Sequence, residues 1–257
     1  MAPSLPVSSL ILGLPPLLLW AAHAKSLPFG YTLRSWLLLR SLVKKAQQNE
    51  LRPGPLFEVL SQEHRCLFDD MDYNQHMVML IMTSRTKDHH DNQPNLSTFL
   101  TYASSYNKML DFSRIQVLYT IFARVMMEPN HGIYAHNGGV LTLFKKEIPP
   151  FQKYTMQSRI YTWSDKWLFL EHRFVYTTFA DGYETEVVAC AALSKVVFKR
   201  GSGKTVTPAH VLELCLHDLS GPSVEERRAR NWKVAEKILS LDALFNDTQD
   251  SWNTSKL

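Results

Sequence analysis

The segment Asp72–Met77 places a carboxylate, an amide and an imidazole at alternate positions, on Asp72, Asn74 and His76. In an extended strand, residues two apart project from the same face, so the three polar groups would meet one surface. In a helix, Asp72 and His76 would share a face and Asn74 would point elsewhere. An extended segment would therefore bring a candidate general base, a proton carrier and a hydrogen-bond donor together.

These three groups suit the hydrolysis of an activated acyl group. Asp72 could deprotonate or orient a water molecule, or attack the carbonyl carbon itself. His76 could carry a proton or hold Asp72 in place, while Asn74 could donate to the charge that develops on the carbonyl oxygen. No metal ion or cofactor is needed, and the chain has no G-x-S-x-G motif of a serine hydrolase. From the residues alone, a polar trio that merely caps a turn is an equally good interpretation.

The elements that would position the trio follow from hydrophobic periodicity. Residues 56–68 are predicted to form a first strand, and apolar side chains at helical spacing between Tyr106 and Val125 predict one long helix. It should begin at Ser104 or Ser105 and end near Pro129, with a sheet covering its apolar side. Four further strands are predicted at residues 132–148, 154–163, 167–176 and 184–199. The order indicates an α+β fold in which an antiparallel sheet curls around one long helix.

Three segments together resemble the hotdog-fold thioesterases. They are residues 69–77, a helix motif with Tyr106, Asp111 and Arg114, and a hairpin motif with Trp163, Lys166 and Trp167. The sequence is most similar to the thioesterase-like group of fungal polyketide and lipopeptide gene clusters, and it also resembles animal thioesterase superfamily member six. The resemblance covers roughly residues 50–205 and the hydrophobic N-terminus.

The resemblance implies a dimer of hotdog domains that hydrolyses acyl thioesters at the subunit interface, without a cofactor. Asp72, Asn74 and His76 would be the catalytic residues, and Asp111 is a weaker candidate because related enzymes often hold a carboxylate on the central helix. Asp111 and Arg114 are also spaced for an ion pair on one helix face. The expected substrate is a fatty or polyketide acyl chain on CoA or an acyl-carrier protein, with a polyketide or peptide synthase as a partner. A membrane-tethered acyl-binding or scaffold protein without turnover is the alternative, and a dehydratase is a third.

Residues 78–103 depart from the family pattern. Relatives usually continue from the histidine with Met-Asn-Asn-Ser and reach the helix tyrosine six residues after it, whereas here Met77 and Val78 follow and Tyr106 lies thirty residues beyond His76. The extra residues are either a real insertion, such as a surface loop or lid, or an intron read as coding sequence. Sequencing the spliced transcript decides, because the presence of codons 78 to 101 rules out the second interpretation.

The N-terminal region is predicted to be a membrane anchor. Residues 5–24 contain no Asp, Glu, Lys or Arg, and about 20 such residues can span a bilayer. Basic residues follow the apolar run, which favours attachment to the endoplasmic reticulum with the catalytic domain in the cytosol. A cleaved signal peptide and a buried helix of a cytoplasmic protein are the alternatives. Residues 31–48 are predicted to form an amphipathic helix against the membrane or against the domain.

The composition is that of a globular protein, and we divide the chain into three parts. Anchor and amphipathic helix are assigned to residues 1–50, the hotdog domain to 51–205 and a helical extension to 206–257. A net charge of +4 does not indicate a nucleic-acid partner. Cys66 and Cys190 lie in apolar runs and are expected to pack in the core of a protein from a reducing compartment.

Overall fold

The computed structural model describes residues 29–67, 70, 104–180 and 182–253. Its helices are α1 (Gly30–Gln48), α2 (Ser104–Ile121), α3 (Ala123–Met127), α4 (Pro208–Leu214) and α5 (Pro222–Asn253). Its strands are β1 (Leu60–Arg65), β2 (Ile133–Phe144), β3 (Lys153–Trp163), β4 (Leu168–Ala180), β5 (Tyr183–Arg200) and β6 (Thr205–Val206). Three predictions fall outside the described residues: the trio Asp72, Asn74 and His76, the segment 78–103 and the apolar run 5–24.

The strands form one antiparallel sheet in the order β1-β3-β4-β5-β2, with β6 paired to β5. Helix α2 connects β1 to the rest of the sheet along the chain, and its apolar side chains pack against β1, β3 and β4. The prediction of an α+β fold with an antiparallel sheet around a long helix is therefore confirmed. Strands β4 and β5 are longer than predicted because their hairpin continues beyond the pairing with β3 as a two-stranded ladder from Tyr176–Val187 to Ala180–Tyr183.

The glycine pair in β2 marks a β-bulge. The register between β2 and β5 shifts between Asn137 and Gly139, and Gly139 has φ 142°. At Gly138 a Cβ atom would lie 2.4 Å from the ring of Trp167. Any larger residue at this position would force the indole to shift, so the present packing favours glycine.

The long helix predicted between Ser104 and Pro129 is divided in two at Phe122. Phe122 has φ −108° and ψ 25°, outside helical geometry, and α3 continues after it. The carbonyl oxygen of Ile121, the last residue of α2, accepts a hydrogen bond from the His217 ring at 3.0 Å. A partner from elsewhere in the chain thus satisfies a backbone group near the break, which local periodicity could not have shown.

Helices α1 and α5 cover the domain from two sides. Helix α1 lies along α2, where Tyr31 stacks on Phe112 with ring centroids 5.3 Å apart. Helix α5 lies along β3, where the Asn231 amide donates to the Tyr161 carbonyl at 2.8 Å. No helix in the described part of the chain is both long enough and apolar enough to cross a bilayer.

Candidate active site

A buried turn at the end of β1 leads towards the predicted trio. Cys66 continues the ladder beyond β1, donating its N–H to Gln152 and accepting from Phe151, both at 3.0 Å. The Asp70 carboxylate then accepts the N–H of Leu67 at 2.9 Å, and the Asp70 N–H donates to the Leu67 carbonyl. Asp70, which precedes Asp72 by two residues in the sequence, is thus buried and bonded to the segment that follows β1.

An aromatic cluster surrounds this turn. Tyr106, in the first turns of α2, contacts Phe174 edge-on at 4.9 Å, and Tyr154 on β3 lies 5.9 Å from the same ring. Burial raises the pKa of both tyrosines, and the nearby Asp70 carboxylate raises them further. Both phenols are therefore neutral O–H groups in the working pH range, able to donate hydrogen bonds but not to act as bases.

The Tyr154 hydroxyl is buried and finds no hydrogen-bond partner among the described residues. A buried hydroxyl without a partner costs about 1–3 kcal/mol. We therefore expect Tyr154→Phe to raise the free energy of unfolding by about 1 kcal/mol, measured by urea denaturation. Tyr183→Phe, on a ring that is 77% exposed, is the matched control and should change nothing measurable. A loss of stability in Tyr154→Phe would contradict the expectation.

Asp111 lies on α2 and forms the expected ion pair with Arg114. Its carboxylate also accepts from the Tyr31 hydroxyl of α1, at 3.4 Å. The Asp111 side chain is 42% exposed and the Arg114 side chain 9% exposed, so the pair connects the surface to the core. Both contacts of this carboxylate are with side chains of α1 and α2, which favours a structural role.

The role of Asp111 is testable by Asp111→Asn. This change leaves the largely buried Arg114 without its counter-ion, and we expect a loss of about 1–2 kcal/mol in the free energy of unfolding, reduced by the exposure of the carboxylate. Thiol release from an acyl-CoA, the activity that the resemblance implies, should change by less than about threefold, because no proton transfer is assigned to Asp111. A large loss of kcat without loss of stability would instead make Asp111 the catalytic carboxylate.

A layer of polar side chains crosses the core between α2 and the sheet. His172 on β4 is its centre: Nδ1 lies 2.7 Å from the Ser158 hydroxyl and 3.2 Å from that of Ser113. Nε2 lies 3.0 Å from the Ser194 hydroxyl, which also accepts from Arg114 Nη1 at 3.0 Å. Ser113 and Ser158 are hydrogen-bonded to each other as well. The four side chains come from α2, β3, β4 and β5 and lie at the same height along these elements. The layer therefore lies between two apolar clusters that together form the core.

The polar layer is structural rather than catalytic. The side chains of Ser158, His172 and Ser194 are essentially inaccessible, so a substrate could not reach the serine–histidine pair. Burial, and secondarily the Arg114 charge, lowers the pKa of His172 to about 3. The imidazole is therefore neutral, and it can donate from one nitrogen and accept at the other. Such a fully bonded layer favours one register of α2 on the sheet over others.

Sequence reasoning missed this layer, although a signal for it exists. The inward-facing positions of β3 are Tyr154, Met156, Ser158 and Ile160, so one serine interrupts an apolar series. His172 interrupts the equivalent series on β4 and is the direct partner of Ser158 across the strands. The strand register was needed to show that the interruptions coincide.

Two cavities adjoin α1, and neither contains Asp70 or Asp111. The larger, about 590 Å³, lies between the C-terminal half of α1, the linker after it and α2, with Lys45, Arg52 and Gln116 in its wall. The smaller, about 380 Å³, lies between α1 and β1.

Comparison with known proteins gives a family match. The model of the family described as "Thioesterase-like superfamily" matches residues 66–214. "Probable thioesterase YBR096W" of Saccharomyces cerevisiae is 39% identical over 112 residues, which are 44% of this chain and 46% of that protein. "Thioesterase poxG" of Penicillium oxalicum is 30% identical over 188 residues, covering 56% of this chain and 62% of that protein. The chain thus spans about half the length of these relatives.

Among solved structures, the 4-hydroxybenzoyl CoA thioesterase of Pseudomonas sp. strain CBS-3 is 17% identical. The match covers 61% of this chain and 98% of that protein's chain, with a TM-score of 0.42.

Proposed function

Since the chain belongs to the thioesterase-like superfamily, we propose that it hydrolyses acyl thioesters and that Asp72, Asn74 and His76 form its catalytic group. The observation that carries this proposal is the position of the trio, because all three residues lie inside the matched range 66–214. The proposed reaction adds water to the thioester carbonyl, breaks the carbon–sulfur bond, and releases a carboxylic acid and a thiol.

Chain connectivity supports the position of the trio. Asp72 follows the buried turn at Asp70 by two residues in the sequence, and two residues of extended chain span at most about 7 Å. The described surroundings of that turn are aromatic and apolar, with Tyr106, Tyr154 and Phe174 in contact. Apolar surroundings in general disfavour the charged form of a carboxyl group, which makes it a stronger general base.

In the proposed mechanism each residue of the trio has a separate role. Asp72 takes a proton from the attacking water or attacks the carbonyl itself, and His76 holds Asp72 or passes the proton to the departing sulfur. Asn74 donates to the carbonyl oxygen as its negative charge develops. Helix α2 begins at Ser104, and the N–H groups of a first helical turn, with the positive end of the helix dipole, could add to this stabilisation.

The proposal is tested by measuring thiol release from acyl-CoA substrates of increasing chain length with the full chain. We expect turnover that saturates with substrate and depends on chain length. Binding of an acyl ligand without thiol release from CoA or carrier-protein thioesters would instead favour the non-catalytic acyl-binding alternative. Formation of an unsaturated acyl thioester from a 3-hydroxyacyl thioester would indicate a dehydratase.

For the physiological substrate, the proposal is a fatty or polyketide acyl chain carried on CoA or an acyl-carrier protein. The similarity of residues 69–77 and of the α2 motif to the fungal secondary-metabolism group supports a polyketide or lipopeptide product. A polyketide or peptide synthase is then the proposed partner. Activity confined to acyl-CoA, with no release from carrier-protein thioesters, would contradict the synthase partnership.

The proposed assembly is a membrane-anchored homodimer. The apolar composition of residues 5–24 supports an anchor in the endoplasmic reticulum with a cytosolic catalytic domain. Strand β2 supports dimerisation, since it is an edge of the described sheet and exposes Tyr134 and Leu143. A monomer in analytical ultracentrifugation would contradict the homodimer. Release of the protein from membranes by carbonate would contradict the anchor.

A further inference from the structure

One face of helix α1 packs against the domain. Tyr31 stacks on Phe112, and the Arg34 guanidinium lies 4.9 Å from the centroid of the same ring. Further along the helix, Leu38 packs against the apolar cluster around Tyr106, and Ala46 is buried. These contacts hold α1 along the central helix, so its orientation relative to the sheet is fixed.

The opposite face of α1 carries an exposed apolar strip. The strip consists of Phe29, Leu33, Trp36 and Leu37, which are 82%, 56%, 50% and 52% exposed. At about 100° per residue the three helical positions, Leu33, Trp36 and Leu37, fall within an arc of about 100°, on the side opposite Tyr31 and Leu38. The Leu33 N–H donates to the Phe29 carbonyl at 2.8 Å, so Phe29 is tied to the first turn. Four large apolar side chains side by side on a surface mark an interaction site.

The charge of α1 indicates which kind of surface the strip binds. The helix contains four basic residues, Arg34, Arg40, Lys44 and Lys45, and no acidic residue. Arg40 and Lys44 are exposed on the same arc as the strip, and the Arg40 guanidinium lies 5.2 Å from the centroid of the Trp36 ring. An apolar surface that carries basic residues along its length matches the boundary between anionic headgroups and acyl chains, where tryptophan is also favoured.

We propose that the strip of α1, together with Arg40 and Lys44, docks the domain onto an anionic bilayer surface. The helix would lie in the plane of the membrane, with Leu33, Trp36 and Leu37 at the level of the upper acyl chains and the basic groups at the phosphates. The inference is independent of the proposed hydrolysis, since none of these residues belongs to the catalytic group. It also differs from the anchor proposal, which concerns residues 5–24 and predicts a crossing helix.

A second copy of the chain is a poorer occupant of this surface. Two strips facing each other would bring Arg40 and Lys44 of both copies together, four basic residues with no acidic residue of α1 between them. Like charges in such proximity repel, and their desolvation adds to the cost. An anionic lipid surface supplies the opposite charge over the whole length of the helix.

The test places an environment-sensitive fluorophore on the strip of the full-length protein. Leu33→Cys provides the attachment site, because Cys66, Cys190 and Cys215 are all buried and react poorly in the folded protein. Val234→Cys on α5, at an apolar position that is 52% exposed, is the matched control. Each labelled protein is titrated with vesicles of phosphatidylcholine alone and of phosphatidylcholine with phosphatidylserine.

We expect a blue shift at position 33 with phosphatidylserine vesicles, a weaker one with phosphatidylcholine alone, and none at position 234. Arg40→Ser/Lys44→Ser should weaken the partitioning of the strip by roughly 25-fold, about fivefold for each charge removed. Lys233→Ser/Lys237→Ser, a pair with the same spacing on α5, should leave it unchanged, and both variants should keep thiol release from a water-soluble acyl-CoA.

The readout is local, so it separates the strip from the rest of the chain. Protein that sediments with vesicles while the probe at position 33 stays in water would overturn the proposal, even though residues 5–24 had bound. Equal shifts at positions 33 and 234 would overturn it too. So would a shift at position 33 that depends neither on lipid charge nor on the Arg40→Ser/Lys44→Ser change. A self-associated protein whose probe shifts without vesicles would assign the strip to a second copy instead.

Discussion

Asp72→Asn is expected to lower kcat for thioester hydrolysis by about 10²–10⁴-fold with little change in KM. The change removes the proposed general base or nucleophile and keeps its size and hydrogen-bonding capacity, so binding should persist while proton transfer is lost. His76→Ala should cost less, about 10–10²-fold, because water can replace part of a proton carrier's role. Both are measured as thiol release from the acyl-CoA that the unmodified protein hydrolyses best.

Asp111→Asn serves as the matched control for this prediction. It makes the same carboxylate-to-amide change on a residue whose described partners are Arg114 and Tyr31, and it should keep most of the activity. Circular dichroism and urea denaturation of each variant separate loss of chemistry from loss of fold. Rates within a few-fold of the unmodified protein in both Asp72→Asn and His76→Ala would remove the trio from the mechanism.

His172 is expected to make the protein labile to mild acid. Its pKa is about 3 in the folded protein and about 6.5 when unfolded, so below pH 6.5 the unfolded chain binds a proton that the folded chain does not. The stabilising effect of the neutral imidazole is complete above pH 6.5 and is lost progressively as the pH falls towards 3. At about 1.4 kcal/mol per pH unit, the total is of the order of 5 kcal/mol. Urea denaturation between pH 7.5 and 4 measures it.

The contribution of His172 is separated from other groups by His172→Gln. At pH 7 the variant should lose about 2–4 kcal/mol, because glutamine cannot reproduce bonds to Ser158 and Ser194 in a space shaped for imidazole. Its curve should approach that of the unmodified protein as the pH falls. The pKa of His217 is also lowered by burial, so some slope should remain. His210→Gln, at an exposed histidine, should leave the slope unchanged, and an equal slope in His172→Gln would contradict the assignment.

The secondary structure was largely predictable because it depends on local pattern. Alternation of apolar residues predicted β3 within one residue at its start, and the cluster Tyr106 to Val125 predicted α2 and α3 as one helix. The (i, i+3) spacing of Asp111 and Arg114 predicted their ion pair, since both partners lie on one turn. Cys66 and Cys190 pack in the core as expected. In each case the deciding contacts are close along the chain or follow from burial alone.

The two faces of α1 were only half predictable. The periodicity of residues 31–48 showed that the helix is amphipathic, but it left the membrane and the domain as equal partners. The structure places Tyr31 and Leu38 on the domain and leaves Leu33 and Trp36 exposed, so the domain covers one face and the other face is open to the bilayer surface proposed above. Periodicity shows that a face is apolar; which body covers it depends on the distant residues that meet it.

The order of the main helices and strands, the family resemblance and the spacing of Asp72, Asn74 and His76 could be predicted, because each depends on neighbouring residues. The polar layer at His172, the division of the helix at Phe122 and the exposed strip of α1 became visible in the folded chain alone. Ser113, Ser158, His172 and Ser194 come from four different elements. Their hydrogen bonds exist only after the strands have paired in one register and α2 has settled on the sheet, and no local pattern encodes that step.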